Sequence, residues 1–171
     1  MKTTLLSLFL TLIAFTWASA QEKKPASPHV TTDGKNMSIT YGQPSKKGRV
    51  LFGKPGSGSL EPYGKPWRIG ADQATEITFK KDGTFGGKAV KAGTYTLVAI
   101  PDEKEWTLIL NSQLGQWGAY EYEKHKAKNV LEVKVPNKSY PASEEKLTFQ
   151  VKDTSLDFQW DKVGFSVPVK F

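Results

Sequence analysis

The chain has 171 residues, with 24 Lys and Arg against 17 Asp and Glu, two His and no Cys. Without cysteine there are no disulfides, so stability has to come from packing, and no lipid can be attached to a cysteine behind a signal cleavage site. Two histidines without a His-x-x-x-His spacing argue against a zinc centre, and no metal or cofactor is expected.

The N-terminus reads as an export signal. Lys2 precedes an apolar run over residues 5–17, and Ala18-Ser19-Ala20 makes an A-x-A cleavage site. The run is shorter than the roughly 20 apolar residues a spanning helix needs, and no later stretch could span a membrane. The expected organisation is a signal peptide at 1–20, a flexible leader at 21–28 and one domain at 29–171. Cleavage near Ala20 would leave a periplasmic or extracellular protein. The excess of positive charge is concentrated: residues 21–70 hold 9 bases and 3 acids, whereas residues 71–171 hold 14 of each. Lys46, Lys47, Arg49, Lys54, Lys65 and Arg68 carry much of it. Such a patch attracts anionic partners or serves only as a solvated face. No nucleic-acid recognition motif is present, so that class of partner is not expected.

Strands follow in close succession. His29-Val30-Thr31-Thr32 is a short first strand before the Asp33-Gly34 turn. Met37, Ile39 and Tyr41 alternate with polar residues, the period-two signature of a half-buried strand. Residues 42–48 are a loop, and 49–52 a short strand. Residues 53–66 form the longest breaker-rich segment, the kind of loop in which binding tends to sit. Its glycines do not make a phosphate loop, because no Gly-Lys-Ser/Thr ending follows. Residues 74–80 are a strand, and Asp82-Gly83 signals a hairpin into 84–90, which Gly86-Gly87 marks as bulged or at an edge.

Residues 94–100 are apolar on both faces and should be central, and 106–110 are again buried. In 111–128 the helical spacing of Leu114, Trp117 and Tyr120 is weakened by Gly115 and Gly118, so a loop with at most one short helix is expected. A strand at 129–135, a turn-rich loop at 136–144 and a strand at 146–151 come next. Residues 156–160 and 163–171 alternate on either side of an expected Asp161-Lys162 turn, and Pro168 argues that the last strand lies at an edge. About ten short strands with little helix make an all-β antiparallel sandwich or barrel. A single-domain, jelly-roll-like sandwich is the expectation.

The most specific stretches are Pro62-Tyr63-Gly64-Lys65-Pro66-Trp67-Arg68-Ile69-Gly70-Ala71-Asp72 with Ala74-Thr75, then Ala92-Gly93-Thr94-Tyr95 with Leu97. Tyr41 with Pro44, Lys47-Gly48-Arg49, Ile100-Pro101, Glu105-Trp106, Asn111, Trp117-Gly118 and Tyr120 complete the pattern. In these the chain resembles a family of secreted bacterial proteins catalogued as domain of unknown function 2911. The family usually has Asn where this chain has Asp72, which places a charge near Arg68. The resemblance implies an exported all-β domain and carries no activity with it.

Arg68 offers a planar fork for a carboxylate or phosphate. The aromatics Tyr63, Trp67, Trp106, Trp117 and Tyr120 are candidates to line a pocket, and their flat faces suit sugar rings. The expected site therefore comprises Tyr63, Trp67, Arg68, Asp72, Asn111, Trp117 and Tyr120, built from the 53–75 and 111–128 segments. The competing reading has Arg68 paired with Asp72 or Glu61, and Trp67 in the core. There is no Gly-x-Ser-x-Gly and no complete catalytic signature. The leading expectation is a non-catalytic binding or envelope-associated module for a glycan, a small anion or an envelope component. One alternative is a hydrolase of an envelope or extracellular polymer, with Asp72, Glu105 or His125 as acid or base. The other is a structural protein-interaction module that pairs through edge strands. The sequence leaves the oligomeric state open.

Overall fold

The structure, a computed structural model, describes residues 27–171; the expected signal peptide and residues 21–26 of the expected leader lie outside the described residues. In chain order the strands are β1 (His29–Asp33), β2 (Met37–Gly42), β3 (Phe52–Gly53), β4 (Glu61–Pro62), β5 (Glu76–Phe79) and β6 (Gly83–Phe85). They continue with β7 (Lys88–Val90), β8 (Gly93–Ile100), β9 (Glu105–Asn111), β10 (Asn129–Pro136), β11 (Lys138–Val151) and β12 (Ser155–Lys170). Among the described residues a four-residue helix α1 (Tyr122–His125) and one 3-10 turn are the helical pieces.

The protein is an all-β antiparallel sandwich. One sheet runs β1-β2-β5-β8-β9-β10 and the other β11-β12-β6-β7, with β3 and β4 forming a small parallel pair. Sequence alternation maps onto the faces. Met37, Ile39 and Tyr41 of β2, and Leu131, Val133 and Val135 of β10, turn inward while their neighbours are more exposed. Strand β8 is apolar on both sides for a reason. Leu97 and Ala99 face the main core, whereas Val98 packs with Ile109 and Tyr122 in a second cluster beneath α1.

The main core is organised around aromatic rings. Trp67 stacks on Trp160 at 6.0 Å with an interplanar angle of 12°. It meets Trp106, Phe52 and Phe158 edge-on at 6.1, 5.5 and 6.0 Å. Such pairs add about 0.5–1.5 kcal/mol each beyond area burial. Main-chain bonds tie Trp67 to β8: its N–H donates to the Ala99 carbonyl (2.7 Å), and Ala99 N–H donates back (2.9 Å).

Four local expectations are corrected. Asp82-Gly83 does not turn a hairpin within one sheet; it carries the chain from β5 to β6 in the opposite sheet. Gly83 is glycine because a Cβ there would lie 2.2 Å from the Lys170 carbonyl oxygen. The hairpin turn is Gly86-Gly87, whose φ values of 59° and 80° suit glycine and join β6 to the edge strand β7. Asp161-Lys162 is no turn either. Asp161 sits at φ 55° inside the continuous β12, opposite a register shift in β11, so the device is a bulge. That same pairing draws residues 138–144, expected as loop, into β11. Finally, β12 lies between β11 and β6, although it contains Pro168. Pro168 stands opposite the Gly86 turn, where its carbonyl accepts the Gly86 N–H (2.8 Å) and no ladder bond is demanded of its nitrogen. Among the described residues no helix is long and apolar enough to cross a membrane.

Because Trp67 is 1% exposed and central to the ring cluster, Trp67→Ala should lower the unfolding free energy by about 3–5 kcal/mol. Urea denaturation followed by far-UV circular dichroism checks this.

Candidate functional site

Burying Trp67 determines where its neighbour goes. In the extended backbone at Trp67, consecutive side chains alternate, so Arg68 turns away from the ring cluster to line a cleft of about 410 Å³. The chain then bends sharply. Ile69 and Asp72 have φ values of 49° and 61°, and a β-branched residue in the left-handed region is strained. The bend is held by the buried Thr75 hydroxyl donating to the Ile69 carbonyl (2.9 Å) and by Ala71 N–H donating to the Gly42 carbonyl (3.1 Å). Gly42 must lack a side chain, since a Cβ there would lie 2.1 Å from the Ala71 oxygen.

The cleft is also lined by Lys47, Arg49, Leu60 and Glu61. The parallel β3–β4 pair, with Phe52 beside Glu61, brings the two ends of the long glycine-rich loop together. Arg49 is pre-oriented by its own turn: Nε donates to the Lys46 carbonyl (3.0 Å) and Nη2 to the Ser45 carbonyl (2.6 Å). The Arg68 guanidinium is held differently. Its Nε is buried without a hydrogen-bond partner, and among the described residues neither Arg68 nor Arg49 belongs to a contact ion pair. The expected alternative, Arg68 paired with Asp72 or Glu61, is therefore not what the structure holds. Asp72 instead accepts the Ser27 N–H on its carboxylate (3.2 Å) and the Gly118 N–H on its carbonyl (3.1 Å).

Glu61 is the most perturbed acid. Burial pushes its carboxyl up to about 7, against the opposing pull of the Arg68 and Arg49 guanidinium groups. It is therefore close to half-protonated at neutral pH, between two cations that act on it through space.

The expected site residues separate into four groups. Arg68 and Asp72 share the cleft. Tyr63 is half-buried and lines an adjoining cleft of about 270 Å³ with Lys46, Arg49, Val50 and Val163. Burial, then the nearby Glu103 and Asp102, raises the pKa of its hydroxyl. Trp117 and Tyr120 are 38% and 65% exposed, and Trp117 is tied to Gln73 by a β-bridge, so their segment adjoins the Asp72 bend. Trp67 and Asn111, and with them Trp106 of the expected aromatic pocket, lie in the interior and present no face to solvent. Asn111 Nδ2 donates to the His125 carbonyl (2.9 Å) and to Asn129 Oδ1 (2.8 Å), while its Oδ1 accepts from Gln113 N–H (2.9 Å). That is a staple for the 111–129 segment.

The three acid–base candidates are not gathered. Asp72 is in the Arg68 cleft, Glu105 is paired with Lys134 (3.0 Å) in a different cleft, and His125 lines neither. Among the described residues no group of three or more His, Asp or Glu is placed to hold a metal ion. The residues that sequence reasoning left out of the site are Lys47, Arg49 and Glu61. The usable signal was their position on the flanks of the glycine-rich loop, whose ends a rigid sandwich must bring together.

A raised Glu61 pKa has a definite sign for stability. Between about 4.5 and 7 the folded chain keeps a proton that the unfolded chain loses, so stability falls as pH rises through that window. The penalty is absent below it and complete above it. Glu61→Gln should therefore raise the melting temperature relative to wild type at about pH 8, with the gain vanishing near pH 4. Thermal denaturation across that range checks it.

No curated protein and no solved structure matches this chain. A family profile does match, over residues 23–169, under the description Protein of unknown function (DUF2911). That span contains the Trp67-Arg68 bend, both walls of the cleft and all twelve strands, save the last residue of β12. The chain belongs to the DUF2911 family.

Proposed function

We propose that this protein is an exported, non-catalytic binding module that takes an anionic ligand, a small anion or a glycan carboxylate, in the cleft between Arg49, Glu61 and Arg68. The observation that carries this reading is Arg68: a guanidinium with a buried, unpartnered Nε, held in a cleft of about 410 Å³ outside every contact ion pair among the described residues. A buried donor without an acceptor is costly, and a planar fork is matched by a carboxylate or phosphate. The cleft volume falls within the roughly 300–1,000 Å³ of small-molecule sites. Strain at Ile69 and Asp72 fits a backbone shaped by the site rather than by local preference. The Lys2 n-region, the apolar run and the Ala18-Ser19-Ala20 site support export.

One observation favours a second reading. Glu61 has a pKa near that required of a general acid at neutral pH, in a cleft beside two cations, as a hydrolase would use it. Turnover of a bound polymer, abolished in Glu61→Gln while binding persists, would replace the binding-module reading.

The direct test is calorimetric titration of the protein with galacturonate, citrate and phosphate. At least one anion should bind, and Arg68→Ala should weaken it by roughly 10- to 100-fold, the value of a charge-assisted hydrogen bond, with an unchanged circular dichroism spectrum. Affinity should also rise as pH falls from about 8 to 6, because protonation of Glu61 removes a negative charge from the cleft. Equal affinity of wild type and Arg68→Ala for every anion would refute the assignment.

A further inference from the structure

The Arg68 cleft does not end at Arg49. Arg49 also lines the adjoining cleft of about 270 Å³, so one guanidinium forms the ridge between two concavities. Its Nε and Nη2 are anchored on backbone carbonyls, which fixes the ridge in place. The smaller cleft alone falls below the size range of ordinary ligand sites, and the two joined lie well within it.

The two sides repeat one chemistry. Each has an exposed aliphatic side chain, Leu60 (38% exposed) in the first cleft and Val50 (64% exposed) in the second. These two are locked together by the Leu60 N–H donating to the Val50 carbonyl (2.9 Å). The second also presents the half-buried ring of Tyr63, whereas Trp160 behind the first is 1% exposed and stacked on Trp67, so Leu60 supplies the apolar surface there. Each shares the Arg49 cation. In the second cleft Lys46 is neutralised by Asp161 (2.8 Å), so Arg49 is the cation that remains outside an ion pair there. An inorganic anion would use the guanidinium groups and leave the aliphatic and aromatic surfaces idle. A sugar ring has an apolar C–H face and a polar rim, and a uronic acid adds a carboxylate.

We infer that the ligand is an acidic oligosaccharide of at least two sugar units, crossing the Arg49 ridge with one ring in each cleft. This rests on the anion-binding reading of the Arg68 cleft and extends it to ligand class and length. The second cleft contributes only when a second ring is present, so linkage should convert weak monomer binding into tighter oligomer binding.

The experiment titrates the purified protein with galacturonic acid, its dimer and its tetramer, with alginate oligomers of matched length, with fully methyl-esterified tetragalacturonate, and with inorganic phosphate. The dimer or tetramer of one acidic series should bind at least about tenfold more tightly than its monomer, and the esterified tetramer should lose that binding. Val50→Asp changes an exposed side chain and puts a negative charge in the second cleft. It should bring oligomer affinity down to that variant's own monomer affinity, which the new charge beside Arg49 lowers as well. Tyr63→Ala removes the ring without adding charge, and should bring oligomer affinity down to the monomer value with the monomer unchanged. Arg68→Ala should weaken monomer and oligomer alike. Monomer and tetramer binding equally tightly, both dependent on Arg68, would overturn the two-cleft inference and leave the anion site standing. Phosphate binding without any uronate binding would have the same meaning. Absence of binding by every acid tested, phosphate included, would overturn both.

Discussion

The site depends on the burial of one indole. Trp67 lies between the sheets, stacked on Trp160 and bonded through its main chain to Ala99 in the central strand β8. Its ring cannot leave the core without opening a cavity, so the extended backbone there has one available facing. Alternation then delivers Arg68 to the outside. The bend at residues 69–72 follows, held against Gly42 by a contact too close for any side chain. Scaffold and site are one covalent unit here: the residue that anchors the core is the immediate neighbour of the residue that lines the cleft.

The electrostatics of the cleft differ from those elsewhere on the surface. The contact ion pairs among the described residues all join a lysine to a carboxylate, mostly with substantial exposure. Pairs of that kind contribute little, about 0–1 kcal/mol. The two arginines of the cleft are kept out of such pairs. The acid between them is partly stripped of solvent, and desolvation outweighs the attraction of both guanidinium groups, so Glu61 retains its proton to near neutrality. Positive charge is thereby left available without a permanent counter-charge in contact.

Much of the fold was legible because alternation is a local property. Met37, Ile39 and Tyr41 announce an inward face whatever lies opposite, and the double-sided apolar run of β8 announces a central strand. What misled were residues whose local chemistry has two uses. Asp82-Gly83 resembles a hairpin turn, yet Gly83 is required by the approach of the Lys170 carbonyl from the other sheet. Gly86-Gly87 reads as a weak point in a strand, yet it is the turn. Asp161 tolerates positive φ, and whether that makes a turn or a bulge depends on β11 running alongside. In the site, Arg68 and Asp72 were legible as polar residues in an aromatic stretch. Arg49 was legible only as part of a basic patch and Glu61 only as an alternative partner of Arg68; that the two, twelve positions apart and across a glycine-rich loop, line one cleft was not.

By itself, then, the sequence determined the all-β class, the position of most strands and the segment around Trp67 as the centre of gravity. Each of these is encoded in side-chain periodicity and composition within a few residues. Only the tertiary structure decided which aromatic faces are accessible, which carboxyl sits between the arginines, and that one arginine serves two clefts. Burial and through-space charge depend on residues brought together across sheets and loops. No spacing along the chain encodes the distance between Arg49, Glu61 and Arg68 until β3 and β4 have paired and Trp67 has been buried.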